Sequence, residues 1–288
     1  MFDLHIHSTF SDGSEDVDTI IEKVKKAGID YFSITDHDSA NSARYIFSNK
    51  NVQDRIRELG LTFVPGVEWS CKFDGYKVHI LAYDYDPESP EIKKLEKQLK
   101  ALLDKKNEER LLELSKRGYN FSEKSLENFK SKLNLRKLDF ANALINDGYA
   151  ETIEEAVKII NNAYSPASHR LVGEDVIKEL SKTGVKLVWA HSIRGIGDKP
   201  ISFEEIEMLA TKMKACGLSG LECYYSLYTK EEIAKLVQIA KKLGLFITCG
   251  SDYHGKNKNV SLAQLSCDGS TPNQNDILVD KIFKNTIS

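Results

Sequence analysis

No stretch of this 288-residue chain approaches the ~18 consecutive apolar residues that a membrane-spanning helix requires. A β-type run already begins at residue 2, which leaves no room for a signal peptide, so the expected location is cytoplasmic, with no membrane partner. Cysteine is scarce and unpatterned. Cys71, Cys216, Cys223, Cys249 and Cys267 show no paired ligand spacing, and an odd count without a disulfide pattern fits a reducing compartment. Charge of one sign is lacking too: 40 Lys and Arg against 43 Asp and Glu leave a formal net charge of −3. That balance offers no general attraction for nucleic acid, so duplex DNA is not an expected partner and an anionic substrate would have to be recruited locally. With 41% hydrophobic residues, the length suffices for one large domain plus an insertion.

Histidine is scarce as well, with seven in the chain, and its distribution is informative. Four of the seven sit beside carboxylates in Asp3-Leu4-His5-Ile6-His7-Ser8, Thr35-Asp36-His37-Asp38 and Gly250-Ser251-Asp252-Tyr253-His254-Gly255. His5 and His7 are two apart, and in a strand such residues point to one face, while Phe2, Leu4 and Ile6 take the other. Similar β-prone runs deliver Asp36 and His37 after Tyr31–Thr35, Glu68 after Leu61–Val67, His191 after Val185–Ala190 and Glu222 after Leu218–Leu221. Lys77–Tyr83 carries His79 near its start, and Leu245–Cys249 leads into Asp252 and His254. Six histidines therefore lie near strand ends, and only His169 does not. This is the pattern of a split metal site.

Glu68 and His79 are too close in sequence for a crossover helix, but Asp74-Gly75 supplies a tight turn. The resulting hairpin pairs Phe73 with Tyr76 and Glu68 with Leu81, placing His79 diagonally across from Glu68 on the same face. Elsewhere amphipathic segments separate the runs: Asp16–Ala27, Ser39–Leu59, Gly173–Thr183, Phe203–Cys216 and Thr229–Leu243, punctuated by Gly28, Gly60, Gly184, Gly217 and Gly244. Strand and helix in alternation, with chemical residues at strand ends, predict an α/β barrel whose site is built from those ends and the loops that follow.

These motifs carry a resemblance. In order, the Asp3–Ser8 string with Ser11-Asp12-Gly13, Thr35-Asp36-His37, Gly66-Val67-Glu68, Val78-His79, Ala190-His191 and Gly250–His254 resemble the motifs of the PHP (polymerase and histidinol phosphatase) superfamily of metal-dependent phosphoesterases. The resemblance implies a distorted (β/α)7 barrel and a site for three divalent metals. It would place His5, His7, Glu68 and Asp252 around one ion, with Glu68 bridging to a second held by His79 and His191, and Asp12, His37 and His254 around a third. Imidazole and carboxylate ligands without thiolate suit manganese, iron or zinc. Asp12 stands where many members have histidine, which favours a harder ion such as Mn²⁺ there. The implied reaction is hydrolysis of a phosphate ester by a metal-bridging hydroxide, with no side-chain nucleophile. Asp3 and Glu222 would orient imidazole N–H groups behind the ligands.

From about residue 90 to 166 the alternation stops, and helical, charged sequence is inserted between His79 and His191, so the barrel is expected over 1–89 and 167–288. Ile92, Leu95, Leu99, Leu102 and Leu103 form one apolar stripe, Asn107–Leu114 continues it past a weak break, and Phe121–Lys124 and Asp139–Ile160 add helices. Because the insertion divides two ligands of one metal, its ends are expected at the rim of the site. It resembles the helical cap of a subgroup that hydrolyses nucleoside 3′,5′-bisphosphates or trims short RNA from the 5′ end, which implies a small nucleotide or oligoribonucleotide substrate. Lys137, beside Arg136, falls where that subgroup contacts phosphate; His169 and Arg170 follow the cap, and Arg194 follows His191 at the family's spacing, although Ser192 replaces its proline. Two rivals share the fold: a histidinol phosphate phosphatase, and a non-catalytic structural PHP module, which usually lacks ligands that are all present in this chain. An amidohydrolase-type enzyme would normally bridge its metals with a carbamylated lysine rather than with Glu68.

Overall fold

The computed structural model describes residues 1–131, 135, 137–164, 170–195, 200–272 and 283–288. These residues divide into two compact units, one made of Met1–Leu95 with Leu171–Ser288 and one of Glu96–Arg170. Nine strands are described: β1 (Phe2–Ile6), β2 (Tyr31–Ile34), β3 (Thr62–Phe63), β4 (Gly66–Phe73), β5 (Tyr76–Tyr83), β6 (Leu171–Val172), β7 (Lys186–Trp189), β8 (Gly220–Tyr225) and β9 (Phe246–Gly250). The helices are α1 (Val17–Lys26), α2 (Asn41–Ser48), α3 (Lys50–Glu58), α4 (Pro90–Lys116), α5 (Glu123–Ser131), α6 (Lys137–Asn146), α7 (Ile153–Ala163), α8 (Gly173–Ser181), α9 (Phe203–Cys216) and α10 (Lys230–Leu243).

In the first unit β1, β2 and β3 form a parallel sheet, and the second sheet runs β6-β4-β5-β7-β8-β9. Two short parallel bridges, Ile6 with Tyr253 and His37 with Glu68, join the sheets. At the first, Asp252 N donates to His5 O and His7 N to Tyr253 O, both at 2.8 Å; at the second, Asp38 N donates to Glu68 O at 2.9 Å. These joins close the strands into a distorted α/β barrel, and both fall at residues with metal-binding chemistry. The hairpin register is Phe73 opposite Tyr76 and Glu68 opposite Leu81, with His79 opposite Ser70. Asp74 (φ 47°) and Gly75 (φ 88°) both occupy the left-handed region that a two-residue turn of this hand requires, which glycine adopts without strain.

Amphipathic helices cover the barrel in the expected places, and their ends have identifiable causes. Ser202 and Thr229 form capping boxes with Glu205 and Glu232, which start α9 and α10. The expected single helix over Ser39–Leu59 is instead two, because Asn49 adopts an extended backbone and its side chain caps Asn51 N of α3. The break expected before Asn107 is absent, and α4 runs unbroken to Lys116. The segment Asp139–Ile160 is interrupted at Gly148 (φ 78°), after which Thr152 caps α7. The second unit has its own apolar core of Leu114, Phe129, Phe140, Leu144 and Ile160, with the Phe129 and Phe140 rings 4.8 Å apart.

Candidate metal centre

The barrel strands and the loops after them bring nine side chains together in the first unit. Glu68, fully buried near the start of β4, is at the middle. Its Oε1 lies 2.9 Å from His79 Nδ1 and 3.0 Å from His191 Nε2. Its Oε2 lies 2.9 Å from His37 Nδ1 and 3.3 Å from the Nε2 atoms of both His5 and His7. Asp252 Oδ1 approaches His7 Nε2 at 3.2 Å, His254 Nδ1 at 3.4 Å and His5 Nε2 at 3.6 Å. Asp12 completes the cluster, 3.3 Å from His254 Nε2, 3.6 Å from His7 Nδ1 and 3.7 Å from His37 Nε2. The potential donor sets overlap: His5, His7 and Asp252; His5, Glu68 and His191; His37, Glu68 and His79; and His7, Asp12, His37 and His254.

Two features of this cluster fit divalent cations. Ligands ~2.1 Å from one ion in tetrahedral array are ~3.4 Å from each other, and the donor separations fall around that value. More decisively, of the buried polar atoms without a hydrogen-bond partner, four, His5 Nε2, His7 Nε2, His37 Nδ1 and Glu68 Oε2, converge in the cluster, whereas the others among the described residues belong to side chains outside the nine. Such a convergence of buried, unsatisfied polar atoms calls for a cation among them. The outer atoms are satisfied. Glu222 Oε1 accepts from His5 Nδ1 at 2.9 Å, which leaves Nε2 bare and facing inward, while its Oε2 accepts from His191 N at 2.8 Å. Ser11 Oγ donates to Asp36 Oδ1 at 2.5 Å and lies 3.3 Å from His7 Nδ1, so that Asp36 holds His7 in the same way through one hydroxyl.

The electrostatics follow from this crowding. Burial opposes charge on His5, yet Glu68, Glu222 and Asp252 outweigh it and raise the imidazole well above its ordinary range. His7, also buried but facing the carboxylates of Asp252 and Glu68, is pushed up to about 9. His79 goes the other way, to about 3, because burial and the neighbouring His37 and His191 prevail over Glu68. Burial would raise Glu68 and Asp252, but the surrounding imidazoles hold both carboxylates well below their usual range. Asp12 is lowered despite burial by His254, His37 and His7. The carboxylates thus stay ionised, and protons and cations compete for the same nitrogens.

The backbone is strained where it serves the cluster. His191 (φ 30°), Asp252 (φ 57°) and Asp38 (φ 57°), next to His37, occupy the left-handed region without being glycine. Gly250 has a steric reason: a Cβ there would stand 2.1 Å from His5 Cβ and 2.8 Å from Glu222 Oε1.

A family model described as the PHP domain matches residues 3–171. The chain belongs to this family. Over 264 residues it is 26% identical to a phosphoribosyl 1,2-cyclic phosphate 1,2-diphosphodiesterase of Eggerthella lenta, covering 88% of this chain and 94% of that protein. It is 24% identical over 263 residues to a 3′,5′-nucleoside bisphosphate phosphatase of Chromobacterium violaceum, covering 88% and 86%. Among solved structures it resembles a Bifidobacterium adolescentis protein described as a metal-dependent phosphoesterase, at a TM-score of 0.74 and 26% identity over 98% of this chain and 94% of that one. This PHP protein is accordingly a hydrolase, a metal-dependent phosphoesterase.

Asp3 and Arg194, in the same unit, lie outside the cluster. Asp3 reaches no imidazole; its oxygens accept from Ser251 N and Ala263 N, both at 2.9 Å, and so hold the loops on either side of Asp252 and His254. The Arg194 guanidinium bonds Leu227 O and faces Glu232 at 3.7 Å. Lys137 opens α6 and bonds Asn161 Oδ1 at 2.9 Å. Arg170 directly precedes β6, and Arg136 and His169 fall outside the described residues. Two residues that carry no sequence signal do contact the cluster: Lys258 Nζ bonds Asp252 Oδ2, and Tyr225 OH donates to the same oxygen at 3.0 Å. Among the described residues no helix is long and apolar enough to cross a membrane.

Proposed function

We propose that this phosphoesterase removes the 3′-phosphate of nucleoside 3′,5′-bisphosphates or trims the 5′ end of short oligoribonucleotides, using three divalent ions held by the nine clustered side chains. The observation that carries the reading is the set of inward-facing, buried and otherwise unsatisfied atoms of His5, His7, His37 and Glu68. The relative named a 3′,5′-nucleoside bisphosphate phosphatase supports the substrate class.

The ions, manganese for preference and iron or zinc otherwise, would be held by His5, His7, Glu68 and Asp252; by Glu68, His79 and His191; and by Asp12, His37 and His254. When bound, they supply Lewis acidity, bringing water toward hydroxide near neutral pH and offsetting charge on phosphate oxygens. The protein's part is positioning. Glu68 offers one oxygen to each side of the cluster, Glu222 fixes the tautomer of His5, and Asp36 does so for His7 through Ser11. No serine, threonine or cysteine is required as a nucleophile. In this reading the helical insertion acts as a cap, and Arg170, Arg194, Lys137 and His169 take the phosphate that is not being cleaved, as a planar guanidinium does well.

A turnover panel on metal-loaded protein tests this: adenosine 3′,5′-bisphosphate, a 5′-phosphorylated oligoribonucleotide, AMP, histidinol phosphate and an aryl phosphate. The first two should be the best substrates, and Arg170→Ala should lower kcat/KM for the bisphosphate at least ~10-fold more than for the aryl phosphate, the loss of one charge-assisted contact. Faster turnover of histidinol phosphate than of any nucleotide would replace the reading with a histidinol phosphate phosphatase. No turnover at full metal occupancy would leave a structural module.

A further inference from the structure

Asp252 is asymmetric. Its Oδ1 faces the nitrogens of His5, His7 and His254, whereas Oδ2 is turned outward to Lys258 and Tyr225. The Lys258 ammonium therefore stands one carboxylate away from the ligand nitrogens. It also donates to Tyr225 OH at 3.0 Å and lies 5.2 Å from the centre of that ring. Its side chain keeps 27% of its surface exposed, while those of His5 and His7 keep none. The lysine is thus on the open side of the cluster.

The chain segment that carries it is tied down independently. Lys258 ends a single 3₁₀ turn, Gly255–Asn257, in which Lys256 N donates to Ser14 Oγ at 2.9 Å and Asn257 Nδ2 to Asp12 O at 2.8 Å. Both anchors lie in the loop that supplies Asp12, so the ammonium is fixed relative to ligands on two sides of the cluster. Lys23, by contrast, is engaged by Glu15 and Tyr253.

We propose that Lys258 is a substrate-contacting residue: the ammonium held by Asp252 and Tyr225 donates a hydrogen bond to a non-bridging oxygen of the reacting phosphate. An ammonium has three donors on a flexible stem. Two are used by Asp252 Oδ2 and Tyr225 OH, and the third is available on the exposed side without breaking either contact. The contact counts for more at the phosphate as negative charge shifts between its oxygens. The inference rests on metal-centred phosphoester hydrolysis, not on any choice of substrate, so inorganic phosphate serves as the probe.

The test compares Lys258→Met and Lys258→Arg with the parent protein, each metal-loaded, by elemental analysis, calorimetric titration with inorganic phosphate, and turnover of an aryl phosphate. Lys258→Met should keep its full metal content and bind phosphate at least ~10-fold more weakly, with kcat/KM falling at least as far. Lys258→Arg should recover most of the phosphate affinity. If metal is lost in Lys258→Met while loaded molecules bind phosphate normally, the lysine only positions Asp252 and the proposal fails. It fails equally if phosphate affinity is unchanged at full metal content. A poor result on the nucleotide panel with a clear phosphate effect here would sink the substrate assignment and leave Lys258 in place.

Discussion

The two units bury opposite kinds of side chain. The barrel unit carries His5, His7, Asp36, Glu68 and Glu222 with no exposed surface, each placed by a strand or the residues just after one. The helical unit buries Leu114, Phe129, Phe140, Leu144 and Ile160 and turns most of its charge outward; of its charged side chains described as buried, only Arg110 is an exception, stacked 4.7 Å over Phe140 and bonded to Asn107 Oδ1 at 2.9 Å. The difference teaches what each kind of interior is for. A helix bundle core is non-directional, and it is stabilised in proportion to the apolar area it removes from water. Several carboxylates and imidazoles in one place are costly to bury unless cations join them, so the barrel interior gives up stability for a centre with chemistry.

The strongest way to break this comparison is Glu68→Ala. Glu68 touches five imidazoles, and its loss removes the bridge between two parts of the cluster. Turnover should fall by ~10³-fold or more, the several kcal/mol that metal charge contributes to a phosphoryl transition state. Circular dichroism should stay near that of the parent, and elemental analysis should drop from close to three ions per chain. Retained turnover, or fewer than two ions in a fully active parent, would refute the proposed trinuclear centre.

A large effect of the other kind is expected from Phe140→Ala. Phe140 is fully buried and packs on Phe129, Phe121 and the Arg110 guanidinium. Truncation should cost ~3–5 kcal/mol of local stability. Hydrogen exchange should localise the loss to residues of the helical unit, with the metal content unchanged because all nine proposed ligands belong to the barrel unit. Metal loss in this variant would mean that the two interiors are not independent.

The barrel interior was far more legible in the sequence than the surroundings of its ligands, for a physical reason. Strand alternation is a period of two, so His5 and His7 declared a shared face, and the Asp74-Gly75 turn set the Glu68–Leu81 register by counting outward. Asp36 was visible as a strand-end carboxylate, but its bonds to Ser8 and Ser11 depend on how two loops meet. Lys258 and Tyr225 lie on separate elements, 33 residues apart, and meet at Asp252 only through the fold. The helix boundaries that differ, at Asn49 and Gly148, turn on one residue's backbone angle, which apolar periodicity does not report.

The finest test of the comparison asks whether the barrel interior depends on orientation as well as on charge. Glu222 belongs to none of the potential donor sets; it accepts from His5 Nδ1 and from His191 N, behind the metal-facing atoms of both. In Glu222→Gln the side chain keeps its shape but one of its two accepting oxygens becomes an NH₂ group, which donates and cannot accept. One of the two must lose its partner, and the His5 ring is freer to present the wrong nitrogen. Partners of this kind typically matter by ~10–100-fold in metal affinity or activity, below the effect of Glu68→Ala. The expected outcome is a drop in that range, recovered in part by raising Mn²⁺ in the assay, with thermal stability close to the parent's. Cys249→Ser, two residues before Ser251 on a neighbouring strand end and equally buried, should leave turnover within about twofold, since a thiol that packs 3.7 Å from Phe2 O orients nothing in the cluster. If Glu222→Gln behaved like Cys249→Ser, the barrel would be holding its imidazoles by packing alone, and the contrast with the helical unit would be one of charge without direction.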